Sequence, residues 1–348
     1  MTKKVYVGMS GGVDSSVTAA LLKQQGYLVT GVYMKNWSQD LPGHHCTWEE
    51  DYTDAKKVAT QLDIPFKLYD FEKEYRSLVV DYMVAEYEAG RTPNPDIMCN
   101  QEIKFKLFLD TALADGADMI ATGHYSRISD GQLLSGLDKN KDQSYFLYRV
   151  TEKSLQKSIM PIGELEKPKV RQIAKDLHLS TASKKDSQGI CFVGKVGIKE
   201  FLESEIGPQK PGNIVDQNGK TISSHEGSIY YTIGQRHGLN VGGGLPYYVT
   251  SKDMKKNEVY VTTDLDSKSL WNKTLELTDI HWINLPPQKN AKYRVRTRYR
   301  ADLIDIDSFE LTNDLLKINL KDEVRAVTPG QSAVIYENDR VVGGGIVI

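Results

Sequence analysis

Up to about residue 200, short apolar runs alternate with amphipathic stretches. Val5-Tyr6-Val7 is followed by Val17-Thr18-Ala19-Ala20-Leu21-Leu22 and then by Val29-Thr30-Gly31-Val32-Tyr33-Met34. Residues 54–62, 75–88 and 105–114 predict helices; Phe66-Lys67-Leu68-Tyr69 and Met119-Ile120-Ala121-Thr122 predict strands. In residues 168–177, proline opens a helix that sets Val170, Ile173, Ala174 and Leu177 on one face. Alternation of this kind predicts an α/β unit on a parallel sheet.

The pattern changes after about residue 205. Gly207-Pro208-Gln209-Lys210-Pro211-Gly212 is a turn-rich boundary. Glycine-punctuated strands are expected beyond it, at Ile229-Tyr230-Tyr231-Thr232-Ile233 and Tyr247-Tyr248-Val249-Thr250. After a second break over 264–272, residues 293–300, 308–311, 317–320, 332–336 and 341–348 all read as strands, predicting a small barrel or sandwich. Three domains result: 1–204, 205–264 and 265–348.

Composition narrows the function little. The 348 residues carry 44 Lys and Arg against 46 Asp and Glu, so a polyanion partner needs a local patch. No run approaches the roughly 18–20 apolar residues that cross a bilayer. The first strand starts at Val5, leaving no room for a signal peptide, so a cytoplasmic location is expected. The three cysteines, Cys46, Cys99 and Cys191, form no CxxC pair. That excludes a disulfide scaffold and argues against a zinc or iron–sulfur site, and no metal-ligand set is expected. Isolated cysteines are either small buried apolar groups or reactive thiols. For Cys46, beside His44 and His45, the first reading is favoured.

Ser10-Gly11-Gly12-Val13-Asp14-Ser15-Ser16 stands between a predicted strand and a predicted helix. There, glycines let backbone N–H groups approach an anion, hydroxyls add donors, and the helix start supplies a favourable dipole. No Gly-Lys-Ser/Thr follows, so this is not a Walker A loop. It resembles the SGGxDS signature of the ATP pyrophosphatases, whose fold is an adenine-nucleotide alpha-hydrolase-like parallel sheet. That resemblance implies adenylation of a carbonyl oxygen without naming the substrate.

Gly90-Arg91-Thr92-Pro93-Asn94-Pro95-Asp96-Ile97-Met98-Cys99-Asn100 reads as a loop by its prolines, with an acid three residues before a thiol. Lys104 and Arg91 are the cations available to offset that acid's effect on the thiol. Cys191 follows Lys184 and Lys185, a glycine turn and Ile190, a setting that favours a thiolate if the lysines approach.

With the phosphate loop, these two segments resemble the bacterial tRNA-specific 2-thiouridylases. Thr122-Gly123-His124-Tyr125, Lys141-Asp142-Gln143-Ser144-Tyr145-Phe146-Leu147, Tyr231-Thr232-Ile233-Gly234-Gln235-Arg236 and Pro329-Gly330-Gln331 match as well, so the likeness spans the chain. It implies that Cys99 is a nucleophile, that Cys191 carries a persulfide and that Asp96 assists. It assigns ATP to Gly8, Met9, Ser10, Gly11, Gly12, Val13, Asp14, Ser15, Met34 and Gly123; Mg²⁺ is expected with it because the polyphosphate charge needs neutralising. It assigns the tRNA anticodon loop and its wobble uridine to Asn94, Pro95, Asp96, His124, Lys141, Asp142, Gln143, Arg298, Tyr299 and Gln331. A sulfur-relay protein or cysteine desulfurase is the implied donor. The chain departs from many relatives in a very short loop between Gly244 and Pro246.

Tyr293-Arg294-Val295-Arg296-Thr297-Arg298-Tyr299-Arg300 alternates strictly, so on a strand its four arginines share one face. Such a stripe contacts phosphates, or it is the solvated outer strand of a barrel. The resemblance at Arg298-Tyr299 favours phosphates. The rival readings are an ATP-dependent ligase for a small molecule and a tRNA-binding protein without catalysis.

Overall fold

The computed structural model describes residues 2–41, 45–185, 197–242, 244–288 and 290–348. In chain order the first strands are β1 (Lys4–Gly8), β2 (Leu28–Lys35), β3 (Phe66–Asp70), β4 (Met119–Ala121), β5 (Ser126–Ser129), β6 (Gln132–Ser135) and β7 (Ser158–Ile159). Five of them form a parallel sheet in the order β3-β2-β1-β4-β7. Successive side chains on a strand face opposite ways, and β1 divides accordingly. Val5 and Val7 pack with Val17, Val58 and Val170 from the helices Val13–Gln24, Trp48–Gln61 and Lys167–Asp176. Tyr6 packs with Met83, Phe108 and Ile120 on the other face.

Strand order reverses between β1 and β4, the switch point at which an open α/β sheet places its ligand crevice, beyond the carboxyl ends of the strands. The phosphate loop leaves β1 on one side of it. Thr122-Gly123-His124 leaves β4 on the other.

The expected loop around Cys99 is largely helical. Asn94 is an extended N-cap and Pro95 takes the first helical position, where a missing N–H costs nothing. The helix Pro95–Met98 continues through a π-helical stretch, Cys99–Leu107, into the helix Phe108–Ala114.

The helix Ile198–Ile206 stops at Gly207, φ +76°, and a four-stranded sheet follows. Its strands are β8 (Gly212–Val215), β9 (Thr221–His225), β10 (Tyr248–Asp253) and β11 (Glu258–Thr262), in the order β10-β11-β8-β9. The strand expected at 229–233 is absent. Ser228–Tyr230 is a 3₁₀ turn, and the backbone beyond it serves contacts to other parts of the chain, with Gly234 N donating to Val249 O at 2.7 Å.

The last strands are β12 (Trp271–Trp282), β13 (Arg294–Arg296), β14 (Ile304–Thr312), β15 (Leu315–Arg325), β16 (Ser332–Glu337) and β17 (Arg340–Val347). They run β12-β15-β14-β13-β16-β17, and β12 also pairs with β17, closing a barrel. The hairpin β5–β6 joins it from the N-terminal unit, with Arg340 opposite Leu134 and Val341 opposite Leu133. Only Arg294–Arg296 of the expected long arginine strand is extended. Its alternation holds to Thr297, and then the chain turns, with Ala301 N on Arg298 O at 3.1 Å and Arg300 at φ +63°. No helix among the described residues is long and apolar enough to cross a membrane.

Candidate active site

The phosphate loop is fixed by its own hydroxyls. Ser10 N donates to Ser15 Oγ at 3.2 Å, and Ser15 Oγ and Ser16 Oγ donate to Gly12 O at 3.1 and 2.7 Å. Gly11 has φ +72°, and a Cβ there would stand 2.3 Å from the Asp51 carbonyl oxygen, so only glycine fits. Across the crevice, a Cβ on Gly123 would stand 2.8 Å from Ser15 N. Met9 and Val13 are 1% and 3% exposed, so what they offer a nucleotide is backbone. Met34 on β2 lies beside Gly8, its Cε 3.0 Å from where a Gly8 Cβ would be.

Asp14 is the one carboxylate of the loop. Tyr125 Oη donates to its Oδ1 at 2.8 Å, and Lys167 Nζ meets Oδ1 and Oδ2 at 2.7 and 2.8 Å. Lys167 went unassigned by sequence reasoning, which stopped at Pro168 as the start of its helix. Among the described residues no group of three or more His, Cys, Asp or Glu gathers to hold a metal ion. Asp14 is bound to Lys167, so the described residues offer no carboxylate set of their own for Mg²⁺.

Gly123 and His124 connect this loop to the thiol. The His124 ring is 5.7 Å from that of Phe105, in the same π-helical stretch as Cys99. His124 is 7% exposed with Nδ1 2.8 Å from Thr122 Oγ1, and burial, helped by the charge of Lys104, holds it neutral well below the usual histidine value. Burial pushes the Asp96 carboxyl up, while Lys104 acts against it. Cys99 is 4% exposed. Asn100 beside it donates from Nδ2 to Phe146 O at 3.2 Å, and the Phe146 ring lies 4.5 Å from that of Tyr299. Of the two cations expected near the thiol, Lys104 acts through its charge on Asp96 and His124, whereas Arg91 is bound to Glu86, Nε to Oε2 at 2.6 Å.

Cys191 lies outside the described residues. The chain leading to it leaves from beside the phosphate loop: Lys184 Nζ binds Asp51 Oδ1 at 2.7 Å and Asp54 Oδ2 at 2.8 Å, and Arg171 Nη1 donates to Lys184 O at 3.1 Å. The Lys184 amine expected to favour a Cys191 thiolate is therefore committed to two carboxylates. Cys46 is half-buried, its thiol raised by burial.

Several residues expected on tRNA have internal partners. Asp142 is 5% exposed, with Gly136 N, Ser144 N and Ser144 Oγ each donating to it at 3.0 Å and Arg296 Nη1 at 3.4 Å. Gln143 Oε1 accepts from Tyr125 N at 3.0 Å. Gln331 Nε2 donates to the carbonyls of Thr92 at 2.8 Å and Pro93 at 3.3 Å. Arg298 Nη2 reaches Ile233 O, Ala326 O and Thr328 Oγ1 at 2.7, 2.8 and 2.6 Å. Arg294 and Arg300 donate to the carbonyls of Asn338 and Asn140 at 3.1 Å. Each of the four arginines thus has an internal partner, while Arg300 remains exposed. Asn94 is half-buried at its N-cap, and the Lys141 backbone N donates to Asp138 O at 3.1 Å.

Comparison with known proteins covers nearly the whole chain. Residues 3–195 match the family described as tRNA methyl transferase HUP domain. Residues 199–263 match its PRC-barrel domain, and 272–347 match the aminomethyltransferase beta-barrel domain. A protein of Histophilus somni (strain 129Pt) called tRNA-specific 2-thiouridylase MnmA is 49% identical over 99% of this chain and 93% of its own. Proteins of the same name from Bacillus licheniformis and Nitrosomonas europaea are each 47% identical over 99% of this chain, and over 94% and 98% of their own. A solved 4-thiouridine synthetase–RNA complex with bound ATP is similar at 18% identity and a TM-score of 0.38, over 59% of this chain and 50% of that one, a likeness too slight to add to these.

Proposed function

The chain belongs to the family of tRNA-specific 2-thiouridylases, and from that membership we propose that it activates a tRNA uridine with ATP and replaces its C2 oxygen by sulfur. The observation that carries the chemistry is the continuity across the crevice. Gly123 abuts the Ser15 amide, and the next residue, His124, packs on the helical run that bears Cys99.

ATP lies with its phosphates on the loop from Ser10 to Ser16. The C2 carbonyl oxygen of the wobble uridine attacks the α-phosphate and releases pyrophosphate, leaving an adenylated base. The base must leave its stack for that carbon to be reached. Cys191 carries a terminal sulfur delivered by a donor protein, and that sulfur attacks C2 as AMP departs. The Cys99 thiolate then attacks Cys191 Sγ, freeing 2-thiouridine and forming a Cys99–Cys191 disulfide. An external dithiol supplies the two electrons that reopen it. Asp96, three residues before Cys99 and with its carboxyl pushed up by burial against the charge of Lys104, assists the proton transfers of the thiol. Asn94, held at the helix start by buried Pro95, and Tyr299 meet the RNA. Asp142, Arg298 and Gln331 hold the segments that do.

The family description speaks of methyl transfer, but the full-length relatives are named 2-thiouridylases, and a chain with an SGGxDS loop and the cysteines Cys99 and Cys191 suits sulfur delivery. The test is nucleoside mass spectrometry of tRNA incubated with ATP and a sulfide source. A uridine gaining sulfur at C2 is expected, and Cys99→Ser and Cys191→Ser should abolish it in the donor-coupled reaction. Absence of the thiolated nucleoside would sink the function; full activity in either variant would sink the two-thiol scheme.

A further inference from the structure

Arg325 ends β15 where the barrel meets the central domain, and it is half-buried. Its guanidinium lies over the ring of Tyr248 on β10, Cζ 4.6 Å from the centroid. Among the described residues no carboxylate pairs with it, and its Nε is buried without an acceptor. A buried donor left unpaired is costly, and folded chains keep few of them. The surroundings add positive charge rather than negative. Arg298 Nη2 donates to the carbonyl of the next residue, Ala326, at 2.8 Å. Burial lowers the Arg298 guanidinium below its usual value, and the charge of Arg325 acts the same way. We propose that Arg325 is a phosphate contact for bound tRNA, its guanidinium presented on Tyr248 to a phosphodiester of the RNA backbone at the seam between barrel and central domain.

The backbone fixes the guanidinium at that seam. Ala326 has φ +56°, a left-handed conformation that is unfavourable for a residue with a Cβ. Its N–H donates to Leu270 O at 2.6 Å. Gly234 of the central domain, φ +82°, closes on it: a Cβ there would stand 2.6 Å from Ala326 Cβ and 3.6 Å from Arg298 Nη1 and Nη2. Arg298 Nη2 also holds Ile233 O at 2.7 Å. Two guanidinium groups are thereby kept near one another, with no carboxylate paired to either among the described residues. Like charges so placed repel, and an anion relieves the repulsion. Arginine suits this place, because its planar fork matches a phosphate and stacks on an aromatic face. Tyr299, which meets the RNA, follows Arg298 directly, so the RNA backbone is the source of that anion.

The assignment rests on tRNA being the substrate, and the experiment keeps the two apart. Binding of a tRNA transcript to the full chain is measured at several salt concentrations for the wild type, Arg325→Gln, Arg325→Lys and Tyr248→Leu. Arg325→Gln should weaken binding about tenfold and lower the slope of log affinity against log salt by about one. A transcript with cytidine at the wobble position should lose as much, because a phosphate contact does not read the base. Arg325→Lys should keep the slope. Tyr248→Leu removes the ring and keeps the charge, so binding should weaken a few-fold at unchanged slope. The melting temperature of Arg325→Gln without RNA should hold or rise, since the like charge beside Arg298 is gone. Wild-type affinity and slope in Arg325→Gln overturn the assignment. So does a fall in its melting temperature that accounts for the lost binding, which marks a structural tie. Where Arg325→Gln does not fold, Arg325→Met decides by the same readings. A wild-type chain that binds no tRNA overturns the reading of the substrate instead.

Discussion

Gln331 Nε2 lies 2.8 Å from the carbonyl oxygen of Thr92, so the C-terminal barrel grips the backbone that leads to Asp96 and Cys99. Thr92 N returns a bond to Pro329 O at 2.9 Å, and Thr92 Oγ1 meets Thr232 Oγ1 of the central domain at 3.2 Å. Three parts of the chain converge on one residue. Gln331→Leu should therefore lower kcat/KM for tRNA thiolation about tenfold, as expected for losing one or two hydrogen bonds of about 1 kcal/mol each. ATP affinity, measured separately, should be unchanged.

Gly123→Ala tests the close approach at the crevice. The new methyl would meet backbone, Ser15 N at 2.8 Å and Asp14 C at 2.9 Å, and neither yields easily. Overpacking of this kind costs about 1–3 kcal/mol. Equilibrium binding should show ATP held roughly ten- to a hundredfold more weakly.

His124 gives the stability a pH dependence of definite sign. Burial lowers its folded pKa well below 6.5, so at acid pH the unfolded chain binds a proton that the folded chain refuses. Its neutral form is favoured in both states above 6.5, and stability falls as pH drops below that value. The slope from one such proton is at most about 1.4 kcal/mol per pH unit. Urea denaturation at pH 5.5 and 7.5 should show a smaller difference for His124→Gln than for the wild type. Equal differences would mean that His124 does not titrate this way.

Asp142→Asn separates an internal role from an RNA contact. The substitution leaves Arg296 facing a neutral amide and sets an NH₂ group among donors. Disrupting a buried charge pair costs about 3 kcal/mol, so the melting temperature should fall by several degrees with ATP absent. A weaker tRNA interaction with no thermal change would instead place the carboxylate on the RNA.

The parts of the site that were readable in the sequence are local. The switch from Val5-Tyr6-Val7 to a helical period around Ser10–Ser16 lies within twenty residues, and the structure keeps it. Pro95 misled because proline breaks helices in their interior but starts them at the first position. The arginine alternation set a true inside and outside for Tyr293, Val295 and Thr297, yet alternation cannot say what the outer face meets. Here it meets backbone carbonyls of its own barrel and of the other domains, and the carboxylate of Asp142. Lys167 was illegible for a simpler reason. Its partner Asp14 is 153 residues away, and no spacing rule connects them. The hairpin β5–β6 did have a signal, Asp130-Gly131, which the structure shows with φ +48° and +74°.

That hairpin has a consequence for synthesis. β6 finds its outer neighbour in β17, roughly 200 residues further on. At about 5–20 residues per second, a ribosome takes roughly 10–40 s to supply it. Through that interval the nascent N-terminal unit carries an open strand edge, the kind of surface that recruits neighbouring chains. Truncation before β17 would make the interval permanent, so the nucleotide-binding half produced alone should aggregate where the whole chain does not.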